Sequence, residues 1–161
     1  METDYSLRQL KEDYREIQEK HDLPTFKEIN EDFGIEKLSD SESEILIREV
    51  RKFISEKFSN YLRFSETFLN PSNVQMFVYS SIKSLEDSDR EKLKEVYNVL
   101  SKKEMEVIEL DLDFSESKEA EYIKDSFKVW QYVKKELLKI ILKIKKNWDN
   151  KVESKSKDYF G

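Results

Sequence analysis

The scarcity of turn-forming residues is the feature that most limits what this chain can fold into. Only two glycines and two prolines occur among its 161 residues. Sheet-rich domains need many tight turns, and tight turns use glycine and proline because these residues adopt or fix the required backbone angles. A chain with so few of them is typical of long helices joined by few connections. We therefore expect an all-α fold.

Apolar residues recur at intervals of three and four, which is the repeat of one helix face. Asn70-Pro71 interrupts this pattern, since proline disfavours helical geometry in the residue before it. Gly34 stands where a left-handed C-terminal cap would end a short helix. The pattern predicts helices near 7–17, 26–33, 42–69, 71–85, 89–100 and 116–150. The expected architecture is a single-domain bundle of five to seven helices over residues 1–150, with a long C-terminal helix and a frayed tail at 151–161.

Helix start signals accompany several of these segments. A Ser or Thr followed three residues later by Glu or Gln can form a capping box, in which each side chain bonds a free backbone amide of the first turn. The pattern occurs at Ser6/Gln9, Thr25/Glu28, Ser41/Glu44, Ser88/Glu91 and Ser101/Glu104. We predict helix starts at these positions.

The segment VIELDLDF, residues 107–114, fits two structures. Its alternation of apolar and acidic residues has the period of a strand. Met105, Ile108 and Leu112, however, are also spaced as one helix face after a start at Ser101. We favour the helix because no other segment offers a clear partner strand.

The charges are unevenly distributed along a chain whose formal net charge is −6. Nucleic-acid-binding domains are usually basic, so a general binder of this kind is not expected. The last predicted helix is nevertheless rich in lysine, and Lys135, Lys139, Lys143 and Lys146 are its candidate polyanion-binding residues. Two alternatives remain open for them: a solvated outer face on a core helix, or ion pairs with the acids of 104–125, within the chain or between chains.

The residues that usually carry catalysis or hold metals are sparse. The chain has no cysteine and a single histidine, His21, and its glycines occur only at 34 and 161. Thiol chemistry, zinc–cysteine sites and glycine-rich phosphate loops are therefore excluded. The Asp111-x-Asp113 pair resembles a phosphate-transfer motif, but that motif needs a buried parallel strand, and we interpret it as a solvated face. No catalytic residue, metal ligand or cofactor is predicted, and an enzyme is not expected.

The sequence shows neither a membrane span nor a signal sequence, and this predicts where the protein is located. No apolar run reaches the roughly 20 residues that a membrane span requires, and the N-terminal METDYSLRQLKEDY lacks the apolar core of a signal sequence. We expect a cytoplasmic protein.

One stretch stands apart from this highly charged chain. Residues 67–82, TFLNPSNVQMFVYSSI, contain no charged side chain, although charged residues make up 40% of the sequence. A helix that is apolar nearly all round is either central in a bundle or has one face against another chain. We predict a non-catalytic interaction or assembly protein that forms a homo-oligomer or docks a partner protein through the hairpin 58–82. The candidate interface residues are Phe64, Phe68, Met76, Phe77 and Tyr79; binding of nucleic acid or another polyanion is the alternative.

Overall fold

The computed structural model describes residues 2–40, 45–72 and 74–158, with side chains described for 6–153 within those ranges. These ranges form helices and no strand, which confirms the all-α prediction. The helices are α1 (Glu2–His21), α2 (Phe26–Phe33), a 3₁₀ helix (Ile35–Asp40), α3 (Leu46–Leu69), α4 (Met76–Ile82), α5 (Asp87–Leu112) and α6 (Glu116–Asp158).

The long helices α3, α5 and α6 pack against one another and form the centre of the bundle. Their facing residues are buried, for example Ile54, Val96 and Ile123. Phe33, Phe58 and Trp130 add an aromatic cluster, with ring centroids 5.9 to 6.3 Å apart. Such a core removes large apolar areas from water. This burial is the main contribution to the stability of the fold, because the surface of the protein is highly charged.

The N-terminal helices close one side of this core. Thr25 and Glu28 form the predicted capping box at the start of α2, and Gly34 ends α2 with a left-handed φ of 65°. Buried Tyr14 donates a hydrogen bond from its hydroxyl to the carbonyl of Pro24, at 2.7 Å, which fixes the turn between α1 and α2. At both ends of α2 the sequence pattern and the structure agree.

Several predicted helix starts are wrong. Ser6, Ser88 and Ser101 lie inside helices, and α5 continues through Ser101 to Leu112. The box at the start of α5 is formed by Glu86 and Asp89. The predicted Ser41/Glu44 box lies outside the described residues. The segment 107–112 is helical, as favoured, and the helix ends before Asp113.

The interpretation of α4 as a central helix is also wrong. It spans Met76–Ile82 instead of the predicted 71–85, and only Ser81 and Ile82 are buried. Met76 is 81% exposed and Phe77 57% exposed. Within the charge-free stretch, Phe68, Ser81 and Ile82 are buried, whereas Met76, Phe77 and Tyr79 are exposed at the surface.

The last helix extends past its predicted end at 150. α6 runs for 43 residues to Asp158, so most of the segment predicted as a frayed tail is helical. At 1.5 Å per residue it is about 64 Å long, against about 36 Å for α3. Its C-terminal part extends along α4 and beyond the core. None of the described helices has both the length and the hydrophobicity of a membrane span.

Candidate docking groove

An apolar groove lies between the C-terminal end of α3, the short α4 and the C-terminal part of α6. Its cavity has a volume of about 740 Å³, within the usual range for ligand sites. The lining residues are Phe64, Thr67, Phe68, Phe77, Val78, Ser81, Ile141, Ile144, Lys145 and Trp148. Lys145 carries the one charge in this lining.

Local sequence explains how the three elements come to surround the groove. Asn70 caps α3 and Pro71 follows it, so the chain leaves the helix there and returns as α4. The Ser81 hydroxyl donates a hydrogen bond to the carbonyl of Phe77. Ser81 and Ile82 are buried, so the other side of α4 faces solvent. Phe64 and Phe68 stack one turn apart with ring centroids 4.6 Å apart. Phe77 meets Trp148 edge-to-face, so α4 and α6 touch at the open side of the groove.

A second cavity continues the groove toward α2. It has a volume of about 510 Å³, shares Ile141 with the first cavity, and is lined in part by Tyr61, Trp130 and Leu138. Trp130 and Trp148 are 18 positions apart on α6, which corresponds to about 27 Å. The two cavities adjoin at Ile141, and their lining residues together follow α6 from Trp130 to Trp148; we call the pair the docking groove.

The α2 end of the docking groove is charged. Asp32 accepts hydrogen bonds from Lys134 and Gln131, both at 2.7 Å. Partial burial raises the pKa of Asp32, but these hydrogen bonds outweigh it and the pKa is lowered overall. Burial lowers the pKa of Lys57, whose ammonium lies 4.7 Å from the centre of the Trp130 ring. A bound molecule would therefore meet charged side chains at the α2 end of the docking groove and apolar side chains at the other end.

Three of the five candidate interface residues meet in the groove. Phe64, Phe68 and Phe77 line it, whereas Met76 and Tyr79 are exposed on the other side of α4. Sequence reasoning missed the contribution of α6, namely Ile141, Ile144, Lys145 and Trp148. The apolar ones recur on the same helix face as buried Leu137, so their spacing alone indicates core residues, whereas Ile141 and Trp148 are exposed.

The four candidate polyanion-binding lysines divide into two pairs. Lys143 binds Asp89 at 2.7 Å and Glu86 at 3.0 Å, and Lys139 binds Glu136 at 3.0 Å. Lys135 and Lys146 make no hydrogen bond or ion pair with the described part of the chain. Among the described residues, these lysines make no ion pair with the acids of 104–125, so the expected pairing is not found there. Those acids bind Arg51, Lys103, Lys118 and Lys124 instead.

The most buried charges form a structural cluster away from the groove. Arg51, 2% exposed, donates hydrogen bonds to fully buried Glu119 at 2.9 Å and to Asp111 at 2.6 Å. Burial opposes the charge on Arg51, but these hydrogen bonds raise its pKa. Over the described ranges, no group of three His, Asp or Glu side chains is arranged to hold a metal ion.

Comparisons of the chain with protein-family models, with curated protein sequences and with solved structures find no match.

Proposed function

We propose that the protein is a non-catalytic docking protein that binds a helix of a partner protein in the docking groove. The observation that carries this proposal is the groove itself, whose 740 Å³ main cavity is walled almost entirely by apolar and aromatic side chains. A concave site lined mainly by apolar and aromatic side chains is the usual form of a binding site. Aromatic side chains are also the usual anchors of protein interfaces.

The shape of the groove favours a helix as its occupant. The lining of the docking groove follows α6 over about 27 Å, the length of a helix of about 18 residues. An amphipathic helix laid beside α3 and α6 would add a further helix to the bundle and direct its apolar residues at positions i, i+3, i+4 and i+7 into the lining. Lys145 on the lining has no acidic partner among the described residues. A partner helix with an acidic residue at the edge of its apolar face would supply one.

Selection of helical peptides tests the proposal. A display library of amphipathic 18-residue helices is selected against the wild-type protein, and the binders are measured against Ile141→Glu and Phe77→Glu. Both residues are exposed, so these variants should remain folded by circular dichroism. We expect the selected peptides to lose affinity by about tenfold or more, because a carboxylate without a partner in an apolar site is costly. The tryptophan fluorescence of the wild type should change on binding.

The matched control is Leu112→Glu, which places the same charge on an exposed apolar residue of α5 outside the groove. Peptides that bind this control as tightly as the wild type and fail with Ile141→Glu support the proposal. Peptides that bind all three proteins equally contradict it, as does a library that yields no binder.

Polyanion binding through Lys135, Lys139, Lys143 and Lys146 is the alternative proposal. Its support is that Lys135 and Lys146 are exposed and make no ion pair with the described residues. Lys139 and Lys143 would first have to leave Glu136 and Asp89. Affinity for DNA that falls steeply with salt would favour this alternative, since each neutralised phosphate releases counterions.

A further inference from the structure

Two exposed apolar faces outside the main cavity of the docking groove carry opposite charge. The first, which we call the acidic face, is on α5 and contains Met105, Ile108, Glu109 and Leu112. These residues fall within about 100° of one another around the helix. Met105 is 65% and Leu112 84% exposed. Between 104 and 113 the chain has five acids and no basic residue.

The second face is on α6, beside the groove, and we call it the basic face. It contains Lys135, Leu138, Lys139, Leu142 and Lys146, which again share an arc of about 100°. Leu138 and Leu142 are each 55% exposed. From 134 to 146 the chain has six lysines and one acid, Glu136. Both faces therefore combine apolar side chains with charges of a single sign.

The two faces cannot meet within one molecule. α5 and α6 are antiparallel neighbours, since Lys103 pairs with Asp125 at one end and Asp89 with Lys143 at the other. The acidic face thus lies beside the first turns of α6. About 20 residues of continuous helix, or about 30 Å, separate it from the basic face.

We infer that the protein assembles head to tail, with the acidic face of one copy against the basic face of the next. Opposite charges attract at the rim, and the apolar residues of both faces leave water together. A second copy is the occupant because the complementary face is present on the chain itself. The contact joins two different surfaces, so it leaves one free face at each end and adds further copies into a ring or an open chain.

The assembly does not rest on the proposed function, because it uses neither Phe77 nor the main cavity of the docking groove and shares only Leu138 with the second cavity. Local charge supports the pairing on both sides. Lys118 lies 3.9 Å from Glu109 of the acidic face and binds Asp113 at 2.9 Å, and the Glu109 side chain remains 70% exposed. On the basic face, Lys135 and Lys146 have no acidic partner in the described part of the chain. Among the described residues, an exposed carboxylate on the acidic face and two unpaired ammonium groups on the basic face therefore remain within reach of the next copy.

Sedimentation of two variants, separately and mixed, tests the inference. One variant, Met105→Lys with Leu112→Lys, removes the acidic face, and the other, Leu142→Glu with Lys146→Glu, removes the basic face. All four residues are exposed, so both variants should retain the helical circular dichroism of the wild type. After nuclease treatment, we expect the wild type to form species larger than a monomer as concentration rises, and to dissociate as salt screens the charges.

Each variant alone should remain monomeric, because one of the two faces that every contact needs is missing. An equimolar mixture should form a one-to-one dimer and nothing larger, because the intact basic face of one variant meets the intact acidic face of the other. Two controls complete the design. Glu56→Lys alters an exposed acid on α3 and Phe77→Glu alters the docking groove; both should assemble as the wild type does.

Several results would overturn the inference. They are a wild type that stays monomeric at low salt, a mixture that stays monomeric, and a dimer in which only one of the two faces matters. Assembly that disappears with nuclease treatment also overturns it and supports polyanion binding. Assembly lost in Phe77→Glu assigns self-association to the docking groove instead, which contradicts the head-to-tail contact without excluding a groove-based function.

Discussion

Phe77 on α4 and Trp148 on α6 meet edge-to-face across the open side of the docking groove, with ring centroids 6.3 Å apart and an interplanar angle of 84°. Phe77 is 57% exposed and Trp148 43% exposed. α4 has only seven residues, and a helix this short has little stability of its own in water. Its position therefore depends on the burial of Ser81 and Ile82 and on this aromatic contact.

The first prediction concerns Trp148→Ala. Aromatic pairs of this kind contribute about 0.5–1.5 kcal/mol beyond the area they bury. We expect a small loss in the free energy of unfolding, whereas the amides of 79–82 should exchange with solvent clearly faster because α4 loses its contact with α6. Hydrogen exchange followed by mass spectrometry measures this local effect.

Val152→Ala is the control, because Val152 is an exposed apolar residue one turn further along α6 and does not line the groove. It should leave exchange in α4 unchanged. Equal exchange in α4 for the wild type and Trp148→Ala would show that Phe77 and Trp148 do not hold α4 in place.

The second prediction concerns the buried pair Arg51 and Glu119. Arg51→Met leaves the fully buried carboxylate of Glu119 without its partner, and breaking a buried pair in this way costs about 3–5 kcal/mol. The double variant Arg51→Met with Glu119→Leu should recover much of this loss, because it removes both charges. Urea unfolding followed by circular dichroism gives the free energies.

Asp111→Asn provides the comparison within the same cluster. The Asp111 carboxylate accepts a hydrogen bond from Arg51, but its side chain is 53% exposed. Water can therefore hydrate the groups that the substitution leaves without a partner, and the destabilisation should be smaller. A double variant no more stable than Arg51→Met would contradict the prediction, because it would show that the unpaired charge of Glu119 is not the cause of the loss.

The sequence predicted those elements of the fold whose signals are local. The capping box of Thr25 and the left-handed cap at Gly34 depend on residues within four positions, and both were predicted at the right place. Ser101 was misinterpreted because Ser followed by Glu is frequent in so charged a chain, and the pattern cannot distinguish a helix start from a helix interior. The ends of α4 depend on which of its residues α3 and α6 bury, and this is not encoded locally.

The sequence predicted aromatic residues that α3 and α4 contribute to the docking groove, but not the residues that α6 contributes. Phe64, Phe68 and Phe77 were identified because they lie in or near a stretch without charges. Ile141 and Trp148 fall on the same helix face as buried Leu137 and Ile140 or close to it, and periodicity alone places them in the core. They are exposed because α6 extends past the residues that could cover it. The ion pair of Asp89 with Lys143, 54 positions apart, likewise follows from tertiary packing.

The third prediction concerns the cap of α2. Gly34 has a φ of 65°, and a Cβ built there would meet no atom within 4 Å. Gly34→Ala should therefore cost only the left-handed backbone conformation, about 1–2 kcal/mol. Gly34→Asn should cost less, because asparagine tolerates this conformation better. Thermal unfolding of the three proteins measures the order; equal stability of Gly34→Ala and the wild type would contradict it.

The fourth prediction is a pH dependence that originates at Asp32. Its hydrogen bonds with Lys134 and Gln131 lower its pKa in the folded protein relative to the unfolded chain, where it is about 3.9. Between the two pKa values the unfolded chain binds more protons, so acid favours unfolding. The stabilisation from Asp32 is therefore fully present above the unfolded pKa and is lost as pH falls through the folded pKa.

Asp32→Asn isolates this contribution from the other carboxylates, which titrate in both proteins. We expect the wild type to be more stable than Asp32→Asn in urea at pH 7, with a difference that holds down to about pH 5 and shrinks below it as Asp32 takes up its proton. Asp149→Asn is the control, because Asp149 is exposed and makes no ion pair with the described residues; its difference from the wild type should be small at every pH. If the stability difference between the wild type and Asp32→Asn does not change with pH, the hydrogen bonds of Asp32 do not depend on its charge, and the ionised carboxylate is not what holds α2 against α6 at this end of the docking groove.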